Sequence, residues 1–305
     1  MKKAYFIVAL FAQVIFAQEL PKVSSGNVER IQNFASKFVT QRNVDVWLPS
    51  DYSQSKKYAV LYMHDGQMLY DAEQTWNKQA WEVDEVMAKL KIAQQIQDVI
   101  VVGIWNGGET RHFDYFPQKP FEMLTQKQQD SIYNLERSAG VKLFNGRVSS
   151  DNYLKFIVQE LKPVIDKKYA VATDKAHTFI AGSSMGGLIS MYAICEYPEV
   201  FGGAACLSTH WPGIFQVANN PIPNAFYQYL KMKLPDPKNH KLYFDYGTAT
   251  LDALYEPLQK EVDQIMQQKG FDAQHWMTQK FEGENHSEMA WQKRLHIPFQ
   301  FLFGK

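Results

Sequence analysis

The sequence predicts an α/β protein: a mostly parallel central sheet with helices on both faces and inserted cap segments. Three observations carry this expectation. Short runs rich in Val, Ile, Tyr and Phe recur along the chain between turn residues, longer segments with helical apolar spacing separate them, and no repeat or Pro, Gly or Ser linker interrupts the chain after residue 21. The strands are expected at Val44 to Leu48, Ala59 to Met63, Val99 to Ile104, Thr178 to Ala181, Gly203 to Leu207, Leu242 to Tyr246 and His275 to Phe281. Helices are expected at Trp81 to Lys91, Tyr153 to Lys168, Gly187 to Tyr197 and Leu254 to Lys269, where the apolar spacing suits packing on a sheet. Two stretches, Glu109 to Ser150 and Trp211 to His240, break the rhythm and are candidates for a cap over a site. In sheets of this kind ligands sit beyond the carboxyl ends of the strands.

Composition narrows the classes. The 305 residues are 46% hydrophobic and 21% charged, which excludes a disordered chain. Thirty-two basic side chains balance 32 acidic ones, so no electrostatic footprint for nucleic acid exists. Cys195 and Cys206 are too few for a disulfide scaffold, no paired C-x-x-C suggests a structural zinc, and both thiols are expected as small buried apolar residues.

Lys2 and Lys3 precede Ala4 to Ala17, an apolar run broken only by Gln13 and ended by a small residue. Residues 1–17 therefore read as a secretory signal peptide, too short to span a bilayer, with no following cysteine for a lipid anchor. The expectation is a periplasmic or secreted protein without stable membrane insertion, its residues 21–305 forming a single domain.

The most informative segment is Thr178-Phe179-Ile180-Ala181-Gly182-Ser183-Ser184-Met185-Gly186-Gly187, a hydrophobic strand running into G-x-S-x-G and then a helix. This is the pattern of a nucleophile elbow, in which Gly182 and Gly186 let strand and helix approach while Ser184 stands exposed. The backbone N–H of Met185 then faces a developing oxyanion. A serine hydroxyl needs a base. Of eight histidines, His286 is the strongest candidate, because it lies in a Gly-containing loop directly after the last strand and before a closing helix with Trp291. His275 and His296 read as packing positions. His64, His112 and His210 lie near strand ends, where they could line a pocket. The acid is expected after the strand Leu242 to Tyr246, with Asp252 the choice; Asp245 reads as strand, Glu256 as helix, and Asp252 itself also suits a helix cap. The second oxyanion donor is assigned to the N–H of Gln67, with Gly66 as the alternative, in the loop His64-Asp65-Gly66-Gln67.

Val46-Trp47-Leu48-Pro49, Val60-Leu61-Tyr62-Met63-His64-Asp65-Gly66-Gln67, the G-S-S-M-G-G run, Tyr197-Pro198-Glu199-Val200-Phe201, Tyr246-Gly247-Thr248 and Asn285-His286-Ser287-Glu288 together resemble an esterase family of α/β-hydrolases. That family includes enterobactin esterase-like proteins, S-formylglutathione hydrolases, feruloyl and acetyl xylan esterases and mycolyltransferases. The resemblance runs from about residue 40 to the C-terminus and implies a serine esterase of α/β-hydrolase fold. It places Ser184 and His286 on matching positions. Some enterobactin esterase-like members use a Ser-His pair, which leaves Asp252 open at this point.

The substrate expected is a small-molecule or oligosaccharide ester, an acetyl or feruloyl carbohydrate ester first, with Trp105, Asn106, Arg111, His210 and Trp211 as binding residues at the ligand edge of the sheet. Siderophore ester cleavage, acyl transfer and an inactive sugar-binding homologue are the rival readings. Glu282 and Glu284 read as a solvated loop rather than a glycosidase pair. Neither G-x-G-x-x-G, G-x-x-x-x-G-K nor H-E-x-x-H occurs at the candidate site, and no metal or organic cofactor is expected.

Overall fold

The computed structural model describes residues 19–215 and 218–305, so the predicted signal peptide lies outside the described residues. Eight strands form one sheet: β1 (Asn27–Phe34), β2 (Arg42–Leu48), β3 (Ala59–His64), β4 (Val99–Ile104), β7 (Thr178–Ser183), β8 (Gly203–Leu207), β9 (Lys241–Gly247) and β10 (Trp276–Phe281). The order is β1-β2-β4-β3-β7-β8-β9-β10. β1 and β2 pair antiparallel at one edge, and every pairing from β4 to β10 is parallel. Each of the seven expected strands is present. β1 is an addition, and its NVERIQNF sequence explains why it escapes a search for apolar runs: it is an edge strand whose Val28, Ile31 and Phe34 are separated by polar and charged residues.

Buried faces follow from residue type. All six residues of β3 and of β4 are buried, as strands covered on both sides must be. One face packs against helices Val83–Ile92, Glu288–Arg294 and His296–Phe303 through Leu61, Met63, Val101, Met87, Trp291 and Phe299. The other packs against helices Met185–Glu196, Ile222–Lys233 and Tyr255–Gln268, and against the run 150–168, through Val60, Tyr62, Ile180, Leu188, Phe226 and Val262. The run 150–168 contains a π-helical turn at Phe156–Leu161. Pro163, just after it, has no N–H to offer the carbonyl four residues earlier.

Three boundaries differ from expectation for local reasons. The helix after Trp81 begins at Val83, because Glu82 takes a left-handed φ of 50°. The helix after the elbow begins at Met185 rather than Gly187. His275 is not in β10; its ring bonds Asp272 at 2.8 Å in the preceding turn. The two irregular stretches are less open than a loose cap. Residues 109–150 form helices Arg111–Tyr115, Gln118–Glu122 and Gln126–Tyr133 and the hairpin β5 (Glu136–Ser138)–β6 (Val141–Lys142). They pack on helix Ile222–Lys233 of the second stretch, with Phe116 and Phe226 at a centroid distance of 5.6 Å. Cys195 and Cys206 are buried and unpaired, and burial pushes both thiols up.

Gly66 follows β3, and a Cβ there would lie 2.4 Å from the carbonyl carbon of Gly103 in β4. Gly66→Ala is therefore expected to cost at least about 1–3 kcal/mol through overpacking. Urea denaturation checks this, and an unchanged midpoint contradicts it.

Candidate active site

The elbow is a strained turn held by the neighbouring strand. Ser184 sits at φ 57° and ψ −119°, a region that costs a non-glycine residue about 1–3 kcal/mol and persists only when the surroundings enforce it. Here the Ser184 N–H donates to the Leu207 carbonyl at the end of β8 (2.9 Å), and the Ser184 carbonyl accepts from the N–H of His210 (3.2 Å). The sequence permits the turn because Gly182 has no side chain: a Cβ there would lie 2.9 Å from the Gly186 carbonyl. Ser184 remains half-buried rather than sealed in the core.

Asp252 and His286 meet at the same end of the sheet. The His286 Nδ1 lies 2.5 Å from Oδ1 of the fully buried Asp252. The second carboxylate oxygen accepts from the Ser208 hydroxyl (2.6 Å) and the Gly247 N–H (2.7 Å). Burial by itself would raise the Asp252 pKa; the hydrogen bond and charge of His286, with Ser208 and Gly247, outweigh it and leave the carboxyl below its usual range. The His286 ring packs edge-on against Trp291 at 5.0 Å, and its backbone N–H donates to the Thr250 hydroxyl. Ser208 also accepts from the Trp291 indole N–H and from Arg294, each at 2.9 Å, while Arg294 pairs with Asp245. Burial raises the Asp245 pKa despite that partner.

The two expected backbone donors each open a helical turn. Met185 opens its helix, and Gln67 lies in the short 3₁₀ turn Gly66–Met68, so both N–H groups fall where a helix offers no internal acceptor. Asp65 precedes that turn at φ 57°. Arg111 grips its carboxylate with two hydrogen bonds of 2.7 and 2.8 Å, and the Asn106 amide adds a third at 2.7 Å. Burial pushes the Asp65 pKa up, but Arg111 and Asn106 bring it below the usual range. A serine hydroxyl, an imidazole tethered to a buried carboxylate and two unpaired N–H groups are what nucleophilic acyl transfer requires.

The expected binding residues differ in their surroundings. Trp211 is fully buried and its indole N–H is bonded to Gln259 at 2.7 Å, so it is a packing residue, not a substrate contact. Asn106 braces the Asp65–Gln67 loop, donating its backbone N–H to Gln67 Oε1 as well as its amide to Asp65. Arg111 is already neutralised by Asp65. Trp105 donates to Asp45, and Arg30 lies over its ring at 4.7 Å. His210 is buried, with its Nδ1 2.9 Å from the Tyr255 hydroxyl. Tyr255, the partner of the His210 ring, escaped sequence reading, as did Ser208, Trp291, Arg294 and Trp76. Trp76 is 83% exposed on a loop whose Asn77 bonds Glu288, two residues beyond His286. The available signal was a run of polar residues around an exposed Trp; Tyr255, Trp291 and Arg294 lie on helices whose apolar spacing concealed their polar ends, and Ser208 lies in the turn directly after β8.

Sheet order, elbow and acid–histidine pair define the α/β-hydrolase class. The family model described as "Putative esterase" matches residues 35–302, and the chain belongs to that family. It is accordingly an esterase, a carboxylic ester hydrolase. The chain is 23% identical over 272 residues to the uncharacterized protein YbbA of Bacillus subtilis, covering 87% of this chain and 93% of that protein. It is 24% identical over 286 residues to an endo-1,4-beta-xylanase/feruloyl esterase of Xylanibacter ruminicola, covering 92% of this chain but 32% of that larger protein. Among solved structures it is similar to a ferulic acid esterase (TM-score 0.64, 21% identity, 92% of this chain and 98% of that one). It is also similar to the enterobactin esterase FES of Shigella flexneri (TM-score 0.60, 16% identity, 94% and 60%). Among the described residues no helix is long and apolar enough to cross a membrane.

Removing the Ser208 hydroxyl leaves Asp252, Trp291 and Arg294 each short of a partner. Ser208→Ala is expected to lower esterase kcat roughly ten- to a hundredfold, from a lost charge-assisted hydrogen bond of about 1.5–3 kcal/mol; steady-state kinetics showing less than a twofold change contradicts this.

Burial pulls His64, His112 and His210 down to about 3, with the positive charge of Arg111 a smaller contributor in each case. Between pH 3 and 6.5 the unfolded chain binds protons that these folded histidines refuse, so the stability present above pH 6.5 is lost on acidification. The thermal midpoint is expected to fall steadily from pH 7 to 4.5, and a flat midpoint over that range contradicts the assignment.

Proposed function

We propose that the chain is an exported serine esterase that works through an acyl-enzyme and deacylates carbohydrate esters, acetyl or feruloyl. The observation that carries the mechanism is the 2.5 Å contact of His286 Nδ1 with Asp252, at the strand ends that also hold the elbow. With Nδ1 so engaged, Nε2 of His286 takes the proton as Ser184 Oγ attacks the ester carbonyl. The tetrahedral oxyanion is received by the N–H groups of Met185 and Gln67. As the acyl-enzyme forms, the alcohol leaves with the proton from His286, and water then repeats the sequence to release the acid. Export is supported by Lys2, Lys3 and the apolar run that follows.

The carbohydrate reading draws support from the feruloyl esterase relative and from Trp76, an exposed indole suited to a sugar or aryl face. Siderophore ester cleavage is the second reading, favoured by the likeness to FES. Ferric catecholate chelates are anionic, whereas Arg111 already answers Asp65, which weighs against it.

Ser184→Ala and His286→Ala are each expected to lower turnover by roughly a millionfold, as in enzymes whose nucleophile and base act as a unit. Asp252→Asn is expected to lose roughly ten thousandfold. Retained activity in folded Ser184→Ala protein overturns the mechanism. A kcat/KM more than about tenfold higher on a triserine-type siderophore than on acylated oligosaccharides overturns the substrate.

A further inference from the structure

A groove of about 580 Å³ lies outside the residues of the proposed chemistry, between helices Ile222–Lys233 and Tyr255–Gln268. Its size falls within the range of small-molecule sites. Its lining includes Pro212, two residues beyond His210, and Leu254, two residues beyond Asp252 and next to Tyr255. His210 donates its backbone N–H to the Ser184 carbonyl and its Nδ1 lies 2.9 Å from the Tyr255 hydroxyl, so the lining of the groove comes within two residues of a group bonded to the backbone of the elbow. From Leu254 to Glu261 it follows its helix for about 10 Å at 1.5 Å per residue.

The lining is mixed in a particular way. Asn224, Gln228 and Lys231 recur at i, i+4 and i+7 and so share one face of their helix. Asn224 and Gln228 are exposed, and their carboxamides have no hydrogen-bond partner among the described residues. The exposed Pro257 supplies apolar surface across from them, with the largely buried Pro212 and Pro223 at the floor, and the buried Tyr227 bridges the two helices by donating to the Leu258 carbonyl at 3.2 Å. One cation, Lys231, and one anion, Glu261, leave the groove without net charge. Carboxamides beside apolar faces suit a neutral polyhydroxylated chain, which offers hydroxyls to the first and C–H faces to the second.

We propose that this groove is a binding subsite for the neutral oligosaccharide that carries the ester, receiving the sugar units beyond the acylated one. The inference rests on the carbohydrate-ester reading and adds where the alcohol portion runs. Ester chemistry would proceed at Ser184 without it; the groove would distinguish an acyl group on a polysaccharide from the same acyl group on a small alcohol.

The test is direct binding of unacylated xylohexaose, by calorimetry, to the full chain carrying Ser184→Ala, with and without Asn224→Trp. Asn224 is exposed on a helix surface, so the added indole fills the groove without entering the core; a second variant, Gln228→Trp, and circular dichroism guard against misfolding. The expected result is saturable binding weakened at least tenfold by either substitution. In wild-type Ser184 background the same substitutions should lower kcat/KM on feruloylated xylo-oligosaccharide at least tenfold through KM, while methyl ferulate is turned over as before. No xylohexaose binding, or binding unaffected by both substitutions, overturns the subsite. Failure to hydrolyse either ester in the wild type, with xylohexaose still bound and displaced by the variants, overturns the ester reading and leaves the groove standing.

Discussion

Two consecutive residues at the end of β8 connect the parts of this site. The Leu207 carbonyl accepts the N–H of Ser184 and so holds the strained elbow; the next residue, Ser208, donates its hydroxyl to Asp252. The elbow on β7 and the acid beyond β9 are therefore fixed to one peptide of the strand between them. Ser208 takes a positive φ of 40°, and its N–H is held by Asp245 at 3.0 Å. Parallel pairing of β7, β8 and β9 is what makes such a link available, since it brings their carboxyl ends together.

Charge around this link is buried and paired. Arg294 joins Asp245 to Ser208, the partner of Asp252, while Arg111 joins the Asp65–Gln67 loop to the segment 109–150. Breaking the sealed Arg294–Asp245 pair leaves one charge in an apolar setting, which is far more destructive than never having had it, whereas the Arg111 side chain is 30% exposed and reaches solvent. The inserted segments consequently do structural work through Arg111 and Phe116.

Reading the sequence succeeded where chemistry and pattern coincide. Apolar runs identified seven strands because parallel strands are buried on both faces, and Gly182-x-Ser184-x-Gly186 identified the turn because its glycines are sterically required. Asp252 and His286 followed from loop position and meet in the structure. The polar network under them was hidden: Ser208, Trp291 and Arg294 sit on elements whose sequences read as packing, and only three-dimensional convergence joins them. Trp211 failed in the opposite direction, because an aromatic after a strand reads the same whether it faces a pocket or fills the core. β1 was missed because an edge strand can be polar on both faces.

The central claim is that the elbow hydroxyl, and no other group, is the nucleophile. Reaction of the folded protein with an aryl fluorophosphonate followed by peptide mass spectrometry tests it most directly, because the reagent traps an activated serine as a stable ester. The account predicts one adduct per chain, on Ser184, formed at a rate that falls sharply when His286 is replaced. Modification at any other residue, or modification of Ser184 at the same rate without His286, contradicts it.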